Sequence, residues 1–198
     1  MSMVAYIDES ARQRHPGSYL MAAVLIDTAA IDIIRRGILP LRKKGAEYYH
    51  WHTDRSIKSR DRTIARVANL SLQALVVYVS PITNEHRARY LCLHSMIPEL
   101  EKTYGVEKII FESRQDTQNA EDRKMIEWFR KEGLISGVLR YIHSRPFGLG
   151  GDCLLWLPAV ICGAVGVELW GEHRDKGEPC LRWTAPLRSY LSVMSADP

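Results

Sequence analysis

Two short apolar runs in this chain end in carboxylates. "VAYIDES" (residues 4–10) carries Asp8 and Glu9, and "VEKIIFE" (106–112) closes on Glu112. Side chains alternate across a strand, so Asp8 shares a face with Val4 and Tyr6 while Glu9 points the other way. The two adjacent acids are therefore poor joint ligands, and Glu112 is the natural partner for Asp8. If the two strands are parallel neighbours, both carboxylates emerge at the carboxyl edge of a sheet, where open α/β folds place their ligands. Side by side they would raise each other's pKa unless a cation neutralised them. Mg²⁺ or Mn²⁺, hard ions that take oxygen donors, would do so. A pair of such ions about 3.5–4 Å apart supports phosphoryl transfer. Strand-end acids are also a common way to solvate a strand terminus, and spacing alone leaves both readings open.

The elements that must hold these acids are legible in outline. Residues 3–8 and "SYLMAAVLID" (18–27) read as two strands of a hairpin, joined by a polar Pro-Gly connection. A helix follows over about 28–43, with Ile31, Ile34 and Ile38 on one face and Thr28 as its N-cap. A second helix spans about 59–70, and "LQALVVYVS" is a β-branched third strand. Helices over 83–104 and 119–132, the latter capped by Asn119, flank the strand 106–112. "GVLRYIHS" is the fifth strand, and "DCLLWLPAVICGAVGVELWG" closes the core as a helix. The order β-β-α-α-β-α-β-α-β-α predicts an α/β fold with one mixed five-stranded sheet flanked by helices.

At 198 residues the chain suits a single domain, with a core over about 3–170 and a tail over 171–198 that offers Trp183, Leu187, Tyr190 and Leu191 for docking. Apolar residues at 46% and charged residues at 25% are ordinary for a water-soluble protein, and a net charge of +4 permits a nucleic-acid partner if the cations cluster. The apolar run 153–170 is interrupted by Pro158, Gly163, Gly166 and Glu168, so it reads as a core helix and not a membrane span. Cys92, Cys153, Cys162 and Cys180 form no CxxC pair, and no targeting segment is expected ahead of "MSMVAY". These features indicate reduced thiols and a cytoplasmic protein.

Four motifs in order, "YIDES", "YYHW", "IIFESRQDTQNAEDR" and "LLWLPAVICGAVG", resemble a ribonuclease H-like family catalogued as domain of unknown function 3800, over about residues 3–170. That family belongs to the superfamily of RuvC-type nucleases and retroviral integrases. The resemblance implies a metal-dependent nuclease with Asp8 and Glu112 as ligands for Mg²⁺ or Mn²⁺. It also implies active-site roles for His50, which would orient water or the scissile phosphate, and for Arg114. The family carries a third acid on its closing helix, in a pattern like L-W-x-x-D-x-V-x-G-A. Aligning Leu155, Trp156, Gly163 and Ala164 puts Ala159 at that position. Alanine there is either an engineered inactivation or a natural loss, and in both cases the chain is expected to be impaired in cleavage. The alternative is a non-catalytic module that binds nucleic acid or a protein, in a defence or toxin–antitoxin system. The candidate partners are DNA or RNA, a second copy of the chain, or a protein of such a system.

Several further residues carry two readings each. Trp51 with Arg55, Lys58, Arg60 and Arg62 would stack a base and track a phosphate backbone, or form a solvated helix face. Arg114 would grip a phosphate through its planar fork, or pair with Asp116 or Asp122. Asp122 and Glu9 are supporting carboxylates, although an N3-like position in a helix already accounts for Asp122. His50 and His52 share a face if extended, but no further Cys or His completes a zinc set.

Overall fold

The computed structural model describes residues 2–12, 17–82, 84–170, 187 and 191–196. Among them, six strands form one sheet: β1 (Met3–Arg12), β2 (Gly17–Asp27), β3 (Ala74–Ile82), β4 (Val106–Glu112), β5 (Arg140–Ser144) and β6 (Leu191–Ser195), ordered β5-β4-β1-β2-β3-β6. The hairpin β1–β2 and the pair β2–β3 are antiparallel, while β4 and β5 run parallel to β1. The expected five strands are thus six. The additional strand, β6, lies in the tail and pairs parallel with β3 from Ala74 to Tyr78. "LSVMS" is too short and too weakly alternating to announce itself; it is a strand because β3 offers an open edge. Leu187 docks as expected and is buried, whereas Trp183 and Tyr190 lie outside the described residues.

Among the described residues five α-helices flank the sheet: α1 (Ile31–Ile38), α2 (Ile57–Ala68), α3 (Glu85–Lys102), α4 (Asp116–Lys131) and α5 (Trp156–Trp170). Strand alternation splits the core in two. Val4, Tyr6, Val24, Val76 and Ile110 pack with α1, α2 and α5 on one face. Ala5, Ile7, Leu25, Val77 and Phe111 pack with α3 and α4 on the other. A strand covered on both faces needs apolar residues at every position, which is why "SYLMAAVLI" in β2 is buried throughout.

Helix starts differ from expectation by a few residues, each for a local reason. Asp27, not Thr28, caps the first helical segment, its carboxylate accepting from Ala29 N–H at 2.9 Å. The segment breaks at Leu39–Leu41, a 3₁₀ turn that contains Pro40. Helix α4 begins at Asp116, so Asn119 lies inside it. There its side chain accepts from Arg114 N–H at 3.0 Å and donates to Ser113 Oγ at 3.1 Å. Asp152 caps the 3₁₀ turn before α5, accepting from Leu154 N–H at 3.1 Å. No helix among the described residues is long and apolar enough to cross a membrane. Cys92, Cys153 and Cys162 are free thiols; Cys180 lies outside the described residues.

Candidate active site

Strands β1 and β4 are parallel neighbours, with Ile7 abreast of Phe111. The next residues are Asp8 and Glu112. Both line one cleft of about 100 Å³ at the carboxyl edge of the sheet, together with His50, His52, Trp156 and Ala159. The sequence argument for pairing these acids required parallel adjacency, and the sheet supplies it. Ala159 faces the same cleft from α5. That helix is tied to the strand end by Cys162, whose thiol donates to the Asp8 carbonyl at 3.4 Å. Its entry is fixed by Trp156, whose indole N–H donates to the Pro146 carbonyl at 2.8 Å.

Electrostatics in the cleft favour a cation. Burial, then the charges of Glu112 and Glu9, push the Asp8 carboxyl well above the usual range. Glu112 is pushed up to about 7 by burial and by the charge of Glu9. A carboxylate pair that resists ionising together is stabilised by a positive charge between its members. Two carboxylates with water and substrate oxygens also suffice for Mg²⁺, which keeps several waters. The donor set therefore fits a hard divalent ion, although the described residues contain no cluster of three or more His, Cys, Asp or Glu side chains arranged around a point. On the α5 side the cleft is lined by the methyl group of Ala159.

His50 reaches the cleft from an extended residue that precedes the 3₁₀ turn Trp51–Thr53. Burial first, then the neighbouring His52, hold its pKa below the ordinary imidazole value, so it is neutral at pH 7. Its Nδ1 is buried without a hydrogen-bond partner. Tyr48 closes the rim by stacking on Phe147, with ring centroids 4.5 Å apart.

Other expected site residues are placed differently. Trp51 is 2% exposed, with the Arg60 guanidinium 4.7 Å from its ring centroid and its ring pressed against Gly163 of α5. It is a packing residue with no open face for a base. Gly163 thus serves the close approach of Trp51. Arg60 also donates to the Trp51 carbonyl at 3.4 Å. Arg55, Lys58 and Arg62 are exposed at the start of α2. Beneath them Asp54 is buried, held by Lys43 at 2.7 Å and by the Ser59 hydroxyl at 2.6 Å.

Arg114, read either as a phosphate grip or as a partner of Asp116 or Asp122, pairs with Asp122, because β4 ends at Glu112 and strand alternation ends with it. Its guanidinium lies 3.0 Å from Asp122 and 3.4 Å from Glu9, on the α3–α4 side. Both supporting carboxylates thereby belong to an ion-pair network centred on Arg89. This arginine, 2% exposed, donates to both Asp122 oxygens at 2.7 Å and to Tyr19 Oη at 3.1 Å, and pairs with Glu9 at 2.9 Å. His143 adds a contact to Asp122 at 3.1 Å. The hydrogen bonds of His143 and Arg89, with the charges of the two arginines, hold Asp122 far below the usual carboxylate range. Sequence reasoning missed Arg89, Tyr19 and His143. The signal for Arg89 was a cation at a position that the apolar spacing of Ala88, Cys92 and Leu93 points into the core.

No family model matches the sequence, and no curated protein matches it. Among solved structures, the chain is similar to one from the complex of PCNA with RNase HII from Archaeoglobus fulgidus. The TM-score is 0.53 at 16% identity, over 95% of this chain and 88% of that one. At that identity the likeness is one of fold: the chain has a ribonuclease H-like α/β fold, its mixed sheet extended by a sixth strand.

Proposed function

We propose that this chain is a nuclease of the ribonuclease H-like class, related to the family of domain of unknown function 3800, whose third metal-binding carboxylate is missing at Ala159. The observation that carries the reading is the convergence of Asp8, Glu112 and Ala159 on one cleft. The substrate is a phosphodiester of DNA or RNA. Asp8 and Glu112 would hold Mg²⁺ or Mn²⁺, and when bound the ion supplies Lewis-acid charge against the phosphoryl oxygens. Neutral His50 offers a ring nitrogen to orient a water or a phosphate oxygen in the cleft. The exposed cations Arg55, Lys58 and Arg62 follow directly on the segment that carries His50, and give a phosphate backbone a place to lie.

Without an acid at position 159 the cleft has Asp8 and Glu112 as its available anionic donors, since the third carboxylate on its wall, Glu9, is paired with Arg89 and Arg114, so cleavage by the chain as it stands is expected to be slow or absent. The test is Ala159→Asp, assayed with Mn²⁺ and with Mg²⁺ on single- and double-stranded DNA and RNA. Cleavage that appears in Ala159→Asp and is abolished by a further Asp8→Asn supports the proposal. Absence of cleavage on every substrate, in a variant that binds Mn²⁺ and melts like the parent, refutes it. In that case, nucleic-acid binding indifferent to metal and to Asp8→Ala would identify a non-catalytic binding module.

A further inference from the structure

The face of the sheet that carries Asp8 and Glu112 forms a regular grid away from the cleft. In register across β1, β4 and β5 stand Val4, Lys108 and Arg140, then Tyr6, Ile110 and Ile142. The third row is Asp8, Glu112 and Ser144, Glu112 lying abreast of Ser144. Helix α5 packs on β1, β2 and β3. Over β4 and β5 the described residues leave a groove of about 420 Å³, with Arg35 of α1 on its far wall. Ile142 on its floor is 44% exposed.

Charge in this groove is unbalanced. Among the described residues Asp152 is the one carboxylate that lines it, and that group is already engaged by Arg35 at 3.2 Å and by Tyr6 Oη at 3.0 Å. Lys108 and Arg140 lie side by side on neighbouring strands, and among the described residues neither side chain makes an ion pair. Like charges placed abreast on a sheet repel and cost stability, so an unneutralised pair at this position calls for an anion. The apolar floor between this pair and the catalytic row rules out a fully hydrated ion as the best fit. A ligand with flat, poorly hydrated surface and spaced negative charges matches both features.

We infer that the β4–β5 face is a binding groove for a single nucleic-acid strand, with Lys108 and Arg140 holding phosphates upstream of the Asp8–Glu112 cleft. From Glu112 to Lys108 is four residues of strand, about 13 Å at a rise of about 3.3 Å per residue. That is the length of about four stacked nucleotides at about 3.4 Å each. Ile110 and Ile142 lie between and contact sugars and base faces. A strand laid along this face runs straight to Glu112 and Ser144. The inference deepens the nuclease reading and rests on it for the identity of the ligand.

The test is fluorescence anisotropy with a labelled mixed-sequence DNA or RNA strand, in EDTA so that no cleavage is needed, over a series of salt concentrations. Lys108→Gln/Arg140→Gln removes two phosphate contacts. Each contact contributes about 0.7 to the slope of log K against log salt for a single strand, so the slope should fall by about 1.4 and affinity at about 0.15 M salt by about tenfold. Ile142→Glu, which places a carboxylate on the floor at an exposed position, should weaken binding as well. Ile142→Glu should melt like the parent, and Lys108→Gln/Arg140→Gln, relieved of its repulsion, no lower than the parent. Affinity and salt slope unchanged in both variants would overturn the inference, whether the groove then takes an acidic protein segment or nothing. If Ala159→Asp gains no cleavage but the groove variants still lose affinity, the nuclease reading fails alone. If Ala159→Asp cleaves and the groove variants bind as the parent does, the groove fails alone.

Discussion

Replacing Arg89 by methionine tests whether the charge network under β1 holds the candidate site in place. Methionine fills most of the volume and carries no donor. Asp122, with no exposed side-chain surface, would lose two hydrogen bonds of 2.7 Å and keep Arg114 at 3.0 Å and His143 at 3.1 Å. Glu9 would lose its 2.9 Å partner and keep Arg114 at 3.4 Å, and the Tyr19 hydroxyl would lose its donor. Removing one member of a buried ion pair costs about 3–5 kcal/mol, because the partner stays buried and charged. For 198 residues at about 2.1 cal/mol/K each, the unfolding entropy is about 0.4 kcal/mol/K, which converts that loss to a fall in Tm of about 10 °C. The sign of the pH effect follows from Asp122. Its pKa is depressed in the folded state, so its contribution is complete above the unfolded value near 3.9 and is lost as pH falls through the folded one. With Arg89 gone that folded value rises toward the unfolded one, so the variant should lose less stability than the parent as pH falls below about 4, and the gap between the two should narrow on acidification. Calorimetry between pH 3 and 7 measures both effects. A shift in Tm below about 2 °C at pH 7, with an unchanged acid limb, would show that the network contributes little to stability.

Two further outcomes are expected. A Cβ at Gly163 would lie 2.2 Å from Trp51 Cδ1, so Gly163→Ala should destabilise by about 1–3 kcal/mol in urea titration and quench or shift Trp51 fluorescence. An unchanged denaturation midpoint would refute the packing role. For the cleft, Glu112 is raised to about 7 against about 4.5 unfolded, so the folded state holds the extra proton between those values. Metal-free protein should therefore lose stability as pH rises from about 4.5 through about 7, and Mg²⁺ should offset the loss at the upper end; a flat profile that ignores Mg²⁺ would contradict it.

Periodicity and strand-end chemistry made much of this molecule legible. The alternation in "VAYIDES" sets Asp8 and Glu9 on opposite faces; both reach the cleft, but the Glu9 carboxylate is turned to Arg89 on the α3–α4 side. The run "VEKIIFE" gives β4 at the expected bounds, 106–112, and places Glu112 at its end. These features are local, set by a period of two along one strand. The neighbourhood of β1 and β4 is not local. It depends on which strands pair across about a hundred residues of chain, and only the sheet decides it. The same holds for Trp51, whose burial is fixed by a glycine on a helix far along the chain, and for Arg114, whose partners come from β1 and α4 after its own strand has ended. Arg89 is the sharpest case. An arginine at a core-facing helix position reads as an interruption, and becomes a network only when three other elements bring Glu9, Asp122 and Tyr19 to it. Residue type and period thus determined which side chains could do chemistry at each strand end. Tertiary structure alone decided which of them share a cleft, because a buried charge is tolerable only where distant segments supply its partner.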